Sequence, residues 1–515
     1  MILVWLALLN GLFLIPALAL PGANPWLSLE ALIAWAMLCG MQGRNWHNRI
    51  TLALAMTVGL LVLLVLADAL IRESLGRGLN LYLEARMLGS IWDLMSSNLG
   101  VPLASIAIIL LLGGLAALVL FSRFTLQRLN HHSPVHLGKP LWFISGLAMA
   151  AAVTPWVGSP ALAFVANQTS LVSHTHQTTK TFTKQLESVS AAASQTRPLT
   201  KLADRDVIFG FIESYGISTM TDRRYEPVVS KSLDVMTKEL AAAGLTVATG
   251  RLRSPIQGGQ SWLGHLSVLS GQWIHNQLAY ETFLSSGFST LIDDFRDTGH
   301  QTMAVMPAIT RAWPEGRLFR YDRIYDHDDL GYQGPAFNWV TMPDQYTWHR
   351  FQALREQQSA PVFAELALIS SHAPWVPILP VLEDWNSIED GAVFQQWEGA
   401  GEAPISLWRD PERVREHFAQ AIAYAVETAS GFASRYVDEN TLLILLGDHQ
   451  PAPLITGDDA SRDVIVHVIS ADPALIDPFL NGELSGFQGG TRPNLQTPGA
   501  RMSQLRPFLH QHFER

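Results

Sequence analysis

The sequence predicts two folded parts: an α-helical transmembrane domain of about five spans, then an α/β domain with a mostly parallel sheet flanked by helices. Three observations carry this expectation. The chain up to residue 165 is dominated by aliphatic runs, whereas the remainder has ordinary globular composition. From Asp206 onward, short aliphatic runs alternate with helical patterns closed by glycine. Finally, the run Leu442–Leu446 stops at Gly447-Asp448-His449-Gln450-Pro451, a polar break where a strand buried on both faces leaves its sheet.

The apolar runs fall at 2–20, 26–42, 50–70, 100–121 and 141–164. Those around Leu60–Leu66 and Ile108–Leu112 are too uniformly apolar for a soluble amphipathic helix. The first run also has the length of a signal peptide. No clear small-residue cleavage site precedes Pro21 and more apolar segments follow, so a retained span is expected. The loop near 43–49 holds Arg44 and Arg49 without an acid, and the loop near 122–140 holds Arg123, Arg128 and Lys139 without one. Basic loops face the cytoplasm, which puts the N-terminus inside and everything after residue 165 outside. Leu79–Asn98, with Tyr82 and Trp92, is expected to lie as an interfacial helix on the outer side.

Residues 166–204, rich in Ser, Thr, Gln and Ala, form the expected connector, so the domains are 1–165, 166–204 and 205–515. The formal net charge of -10 and the lack of a long basic run exclude nucleic acid as a partner. The single cysteine, Cys39, excludes an internal disulfide and a cysteine-rich zinc cluster.

In the second part, strands are expected at Val207–Ile212, Leu245–Thr249, Thr302–Met306, Leu366–Ser370, Leu442–Leu446 and Val464–Ile469. Helices are expected at Ser230–Ala243, from Ser261 to Gly271, at Leu291–Thr298 and at Pro411–Val437. Glu213, His372 and the Asp448–His449 pair each follow a core strand. Parallel strands put all these ends on one edge, where ligands bind in open α/β sheets. Two carboxylates and an imidazole converging there suit a metal. Ser261 follows Gly258-Gly259-Gln260 at a helix start, where free N–H groups and the dipole suit a phosphate or sulfate. Two readings stand for it: a plain N-cap, or a nucleophile activated by the neighbouring metal.

Four segments occur in the order seen in the alkaline phosphatase/sulfatase superfamily: Ile212-Glu213-Ser214-Tyr215-Gly216, Gly258-Gly259-Gln260-Ser261-Trp262, Ser371-His372-Ala373-Pro374 and Gly447-Asp448-His449-Gln450-Pro451. The chain most resembles the membrane-anchored branch, of the lipoteichoic acid synthase and phosphoethanolamine transferase type. The likeness covers the architecture of the whole chain, and specific motifs from about residue 206 to 470. It implies that Glu213, Asp448 and His449, with Ser261, hold one divalent metal, zinc or manganese. It implies that Ser261 is the nucleophile, at a position where lipid phosphotransferases usually carry threonine. It further implies that His372 contacts phosphate, and that Trp313 with Arg311 or Arg317 lines the substrate pocket. The Cys/Ser-x-Pro-x-Arg signature of true sulfatases is absent, since Trp262-Leu263-Gly264-His265 follows Ser261.

The function expected from this resemblance is a metal-dependent enzyme of a bacterial inner membrane. It moves a phosphorus-bearing head group from a phospholipid to an envelope glycan or lipid acceptor, through a covalent serine intermediate, in an extracytoplasmic domain. One alternative is a membrane-bound hydrolase of phosphate or sulfate esters; another is a noncatalytic protein that binds envelope lipid or glycan. His265, one turn after Ser261, faces either the site as a substrate-binding group or the helix packing. His467 inside its strand is expected to be a satisfied core histidine, Asp328-Asp329 a solvated turn, Tyr321–Tyr325 pocket wall or surface, and Asp344 a helix cap.

Overall fold

The aliphatic runs of the first third of the chain become helices. In this computed structural model residues 2–20, 24–40, 46–132, 143–144, 146–149, 156–188, 195–482, 484 and 486–514 are described. Two units partition the chain, one formed by Met1–Glu73 and Arg77–Lys180, the other by Ser74–Gly76 and Thr181–Arg515.

The first unit contains α1 (Ile2–Leu14), α2 (Leu29–Gly40), α3 (His47–Leu75), α4 (Leu88–His132) and most of α5 (Pro160–Ser188). Among the described residues, Ile2–Ala19, His47–Leu75 and Gly100–His132 are long and apolar enough to cross a membrane, and Leu29–Cys39 is a shorter apolar helix. Among the described residues this gives three candidate spans where about five are expected. The second expected span corresponds to the shorter helix α2, described from Leu29 to Gly40. The fifth, at 141–164, falls partly on residues outside the described set. The segment 79–98 is helical from Leu81, entered through the Asn80 side chain, which accepts from Tyr82 N–H at 3.1 Å. Gly100, at φ 74° and ψ 152°, breaks α4 two residues before Pro102; few residues other than glycine take that backbone. Glu30 is tied down by capping. It accepts from Ser28 Oγ at 2.6 Å and from Leu162 N–H at 3.0 Å, so one buried carboxylate serves the N-termini of both α2 and α5.

The second unit is built on a nine-stranded sheet. Its strands are β1 (Asp206–Ile212), β2 (Thr246–Arg253), β3 (Gln301–Val305), β4 (Arg323–Tyr325), β5 (Val362–Leu368), β6 (Thr441–Gly447), β7 (Asp463–Ser470), β8 (Gln488–Gly489) and β9 (Ala500–Arg501). The order is β8-β2-β7-β6-β1-β5-β3-β4, with β9 also on β2. The expectation of a mostly parallel sheet is corrected: the sheet is mixed. Strands β6, β1, β5, β3 and β4 run parallel, but β7 is antiparallel to both β6 and β2, and β8 is antiparallel to β2. The cause is the link 448–462, whose only helix is the single turn Pro453–Thr456. No covering helix is available for a crossover, so the chain turns back.

Side chains alternate across the sheet, as the pleat requires. Ile208, Ile212, Leu443 and Leu445 face one core with α6 (Glu226–Ala242), α10 (Asp344–Arg355) and α11 (Pro411–Tyr436). Val207, Phe209, Phe211, Leu442, Ile444 and Leu446 face the other. That core is closed by α7 (Ser261–Ser270), α8 (Gln277–Ser286), α9 (Leu291–Thr298), α12 (Pro473–Asn481) and α13 (Leu505–Phe513). The breaks are chemical. Gly271 ends α7 at φ 70°, and the Asp410 carboxylate accepts from Glu412 and Arg413 N–H to start α11 behind Pro411.

Candidate metal and nucleophile site

Three adjacent parallel strands, β6, β1 and β5, end side by side at Gly447, Ile212 and Leu368. Asp448 and His449, Glu213, and His372 follow those ends. The central strand therefore delivers Glu213 between the other two. The backbone stitches the edge together: Glu213 N–H donates to Leu368 O at 3.0 Å, and Ser371 Oγ donates to Glu213 O at 2.6 Å.

Ligand atoms of Glu213, Asp448 and His449 all lie within 4.8 Å of one another. Ser261 Oγ joins them, 3.2 Å from Glu213 Oε2 and 3.3 Å from His449 Nε2. His449 Nε2 is 3.4 Å from Glu213 Oε1 and 3.7 Å from Asp448 Oδ2. Every other atom of these groups is already engaged. Asp448 Oδ1 accepts from Ser214 N–H at 2.8 Å and from His449 N–H at 2.6 Å, leaving Oδ2 for the cluster. His449 Nδ1 pairs with Gln450 O at 2.8 Å; donation there leaves the Nε2 lone pair facing inward. Ser254 Oγ donates to Asp448 O at 2.8 Å.

The backbone is strained on both sides of the cluster. Ser214 sits at φ 59° and Gln260 at φ 67°, positions where non-glycine residues are uncommon. Gly258 and Gly259 precede Gln260 with positive φ, so the glycine pair bends the chain sharply into α7 and sets Ser261 at its N-terminus. Gly264, one turn on, lies against the ligand loop: a Cβ there would stand 2.8 Å from Asp448 O.

Two carboxylates crowded together cannot share one charge state. Burial and the adjacent Glu213 push Asp448 up to about 6. Burial also pushes Glu213 up, but the His449 and His372 imidazoles and hydrogen bonds from Asp448 and Ser214 outweigh it and hold that carboxyl at about 2. Burial lowers His449, and the two carboxylates overcome it, so the imidazole is raised. The donor set fits a cation. Four ligands bound tetrahedrally at about 2.0–2.2 Å stand about 3.3–3.6 Å apart, the range spanned by the contacts above.

His372 is half-buried beside Glu213. Its Nδ1 pairs with Ala373 O at 2.6 Å, and its ring stacks on Trp339 at 5.0 Å with 17° between planes. Asp344 opens α10 and clamps the His372 loop: Oδ1 accepts from Ile369 N–H at 2.7 Å and Ser370 N–H at 2.9 Å. It thus binds a neighbouring loop rather than capping its own helix. His265 is buried, with Nδ1 2.7 Å from Glu365 Oε1. Trp313 packs on Phe319, ring centroids 5.5 Å apart, and Arg311 and Arg317 are exposed on the same segment. His467 is a satisfied core histidine, 3.0 Å from Tyr215 Oη and 2.8 Å from Thr249 Oγ1. Tyr321–Tyr325 divides: Arg323–Tyr325 forms β4, while the Tyr321 hydroxyl reaches Glu365.

Sequence reasoning missed Trp339 and Glu365 as parts of this neighbourhood. A signal existed for Glu365, a lone acid inside Val362–Leu368; none existed for Trp339.

No protein-family model matches the sequence, and no curated protein matches it. Solved structures do. The phosphoethanolamine transferase EptA of Neisseria meningitidis is 11% identical with a TM-score of 0.47, covering 94% of this chain and 87% of that one. The lipoteichoic acid synthase LtaP of Listeria monocytogenes is 14% identical with a TM-score of 0.36, covering 56% of this chain and 70% of that one. The phosphoglycerol transferase GacH of Streptococcus pyogenes is 11% identical with a TM-score of 0.38, covering 66% of this chain and 82% of that one.

Proposed function

We propose that this chain is a membrane-anchored head-group transferase of the alkaline phosphatase/sulfatase type. Residues 1–165 are its membrane domain, 166–204 the connector and 205–515 an extracytoplasmic catalytic domain, with the N-terminus in the cytoplasm of a bacterial inner membrane. The observation that carries this reading is the place of Ser261 Oγ, within 3.3 Å of both Glu213 and His449. A serine that is only an N-cap has no need of that company.

Glu213, Asp448, His449 and Ser261 are the residues that would hold one divalent metal; the His, carboxylate and hydroxyl donors suit zinc, and their richness in oxygen suits manganese as well. Such a cation supplies the positive charge that turns a serine hydroxyl into a nucleophile near neutral pH. The rest of the chemistry belongs to the chain. Ser261 Oγ bonds to phosphorus of a phospholipid, the bond from phosphorus to the diacylglycerol oxygen breaks, and the serine proton ends on that oxygen. His372 faces the phosphoryl oxygens and offsets their charge. The oxygen of a glycan or lipid acceptor hydroxyl then bonds to phosphorus, the bond from Ser261 Oγ to phosphorus breaks, and the acceptor's proton ends on Ser261 Oγ. Trp313 with Arg311 or Arg317 lines the head-group side. The membrane anchor has a physical purpose here, because the donor resides in the bilayer.

The test is mass spectrometry of the full chain after incubation with vesicles of phosphatidylglycerol and phosphatidylethanolamine. The expected result is an adduct on Ser261 whose mass names the head group, absent in S261A, with turnover in S261A down at least about a thousandfold. Turnover retained in S261A rejects the mechanism. Release of free head-group phosphate with an acceptor present assigns hydrolysis. Absence of bound metal and of any adduct returns the chain to a noncatalytic binding role.

A further inference from the structure

Glu365 is an acid at the middle of β5, 2% exposed, with its backbone between Phe209 of β1 and Ala304 of β3. The sheet gains nothing from it, because an apolar residue of like volume commonly serves a core as well or better than a buried ion pair. Both its oxygens are nonetheless engaged, Oε1 with His265 Nδ1 at 2.7 Å and Oε2 with the Tyr321 hydroxyl.

His265 is pinned in turn. Its ring lies on Phe211 with centroids 3.8 Å apart and 15° between planes. A proton donated from Nδ1 to Glu365 fixes ring orientation and tautomer together. Ser261 lies one helical turn before it on the same face of α7. The residue between, Gly264, leaves no room for a Cβ against Asp448 O. The first turn of α7 therefore presses on the ligand loop at one end and is anchored to the sheet at the other.

We propose that His265, oriented by Glu365, is a positioning residue that sets the first turn of α7 and so fixes Ser261 Oγ relative to Asp448 and His449. This rests on the reading of Ser261 as the nucleophile. Displacing a nucleophile by about 1 Å costs about a hundredfold in rate, while its effect on substrate binding is small. The buried acid is then explained: it holds an imidazole at one angle, which an apolar pair does not.

The experiment compares H265L, H265N, E365Q and S261A in the full chain, reading diacylglycerol release from vesicles of phosphatidylglycerol and phosphatidylethanolamine, with zinc content and thermal melting alongside. Asn places its amide nitrogen where His265 places Nδ1, so it keeps the donor to Glu365; Leu does not. The expected result is a kcat about a hundredfold lower in H265L with KM within about twofold, recovery of about tenfold in H265N, and one zinc retained in both. E365Q, which changes neither volume nor shape, is expected to lower kcat with its melting temperature held. Equal kcat in H265L and H265N, or losses that follow melting temperature across the set, overturn the proposal. An inactive S261A beside a fully active H265L sinks this inference alone, whereas an active S261A sinks the nucleophile reading itself.

Discussion

Ser261 Oγ stands 3.2 Å from Glu213 Oε2 although 48 positions separate the two residues in the chain. One comes from a helix start and the other from a strand end. Neither element needs the other's polar group for its own stability. Their meeting point also receives His449 Nε2, so the arrangement is a convergence of donors rather than a local cap.

That convergence sets a pH dependence. Asp448 rests at about 6, above the ordinary carboxylate range, because it is buried beside Glu213. A raised folded value means that the proton stabilises the fold. The contribution is complete below the unfolded value near 4 and is lost as pH rises through about 6. A bound cation takes over from the proton. In EDTA, wild type should therefore lose stability relative to D448N from about pH 4 to 6, and with zinc the order should reverse. Melting curves across pH check this, with metal content expected to fall in D448N. Parallel metal-free profiles would count against the assignment of Asp448.

His467 sets the opposite slope. Burial holds it at about 3, so the neutral ring is the folded form. Its contribution is complete above the unfolded value near 6.5 and is lost as pH falls from there toward 3, by about 1.4 kcal/mol per unit. H467F should cost about 1–3 kcal/mol at pH 7, because Tyr215 Oη and Thr249 Oγ1 lose their partner, and should flatten the acid limb. Urea titrations at pH 5 and pH 7 measure both effects.

G264A should disturb the site from below. The added methyl would meet Asp448 O at 2.8 Å, and backbone on both sides resists it. A loss of about 1–3 kcal/mol is expected, with weaker zinc binding in calorimetry. Unchanged zinc affinity in a folded G264A would show that α7 and the ligand loop are not coupled.

W339A should act on substrate more than on chemistry. The indole backs His372 at 5.0 Å, a contact of about 0.5–1.5 kcal/mol. KM for vesicle phospholipid is expected to rise about two- to tenfold with kcat nearly unchanged. An equal fall in kcat would move His372 from ground-state binding to transition-state contact.

Much of this protein was legible in its residues. The strand Leu442–Leu446 and its polar stop were visible because this strand, buried on both faces, is aliphatic until it leaves the sheet. The start of α7 at Ser261 and its end before Gly271 were visible because backbone with positive φ selects glycine. The direction of β7 was not visible, since an antiparallel strand in the middle of a sheet has the same apolar composition as a parallel one. Asp344 looked like a cap because caps and loop clamps use the same side chain.

By itself, the sequence determined what depends on neighbours along the chain: apolar segments, strand and helix limits, and the four residue types offered to one edge. Only the tertiary structure decided that Ser261 reaches Glu213 and His449, that His265 binds Glu365, and that Trp339 backs His372. Each of these is a contact between distant segments, and distance across a sheet edge is set by strand order, which no local periodicity encodes.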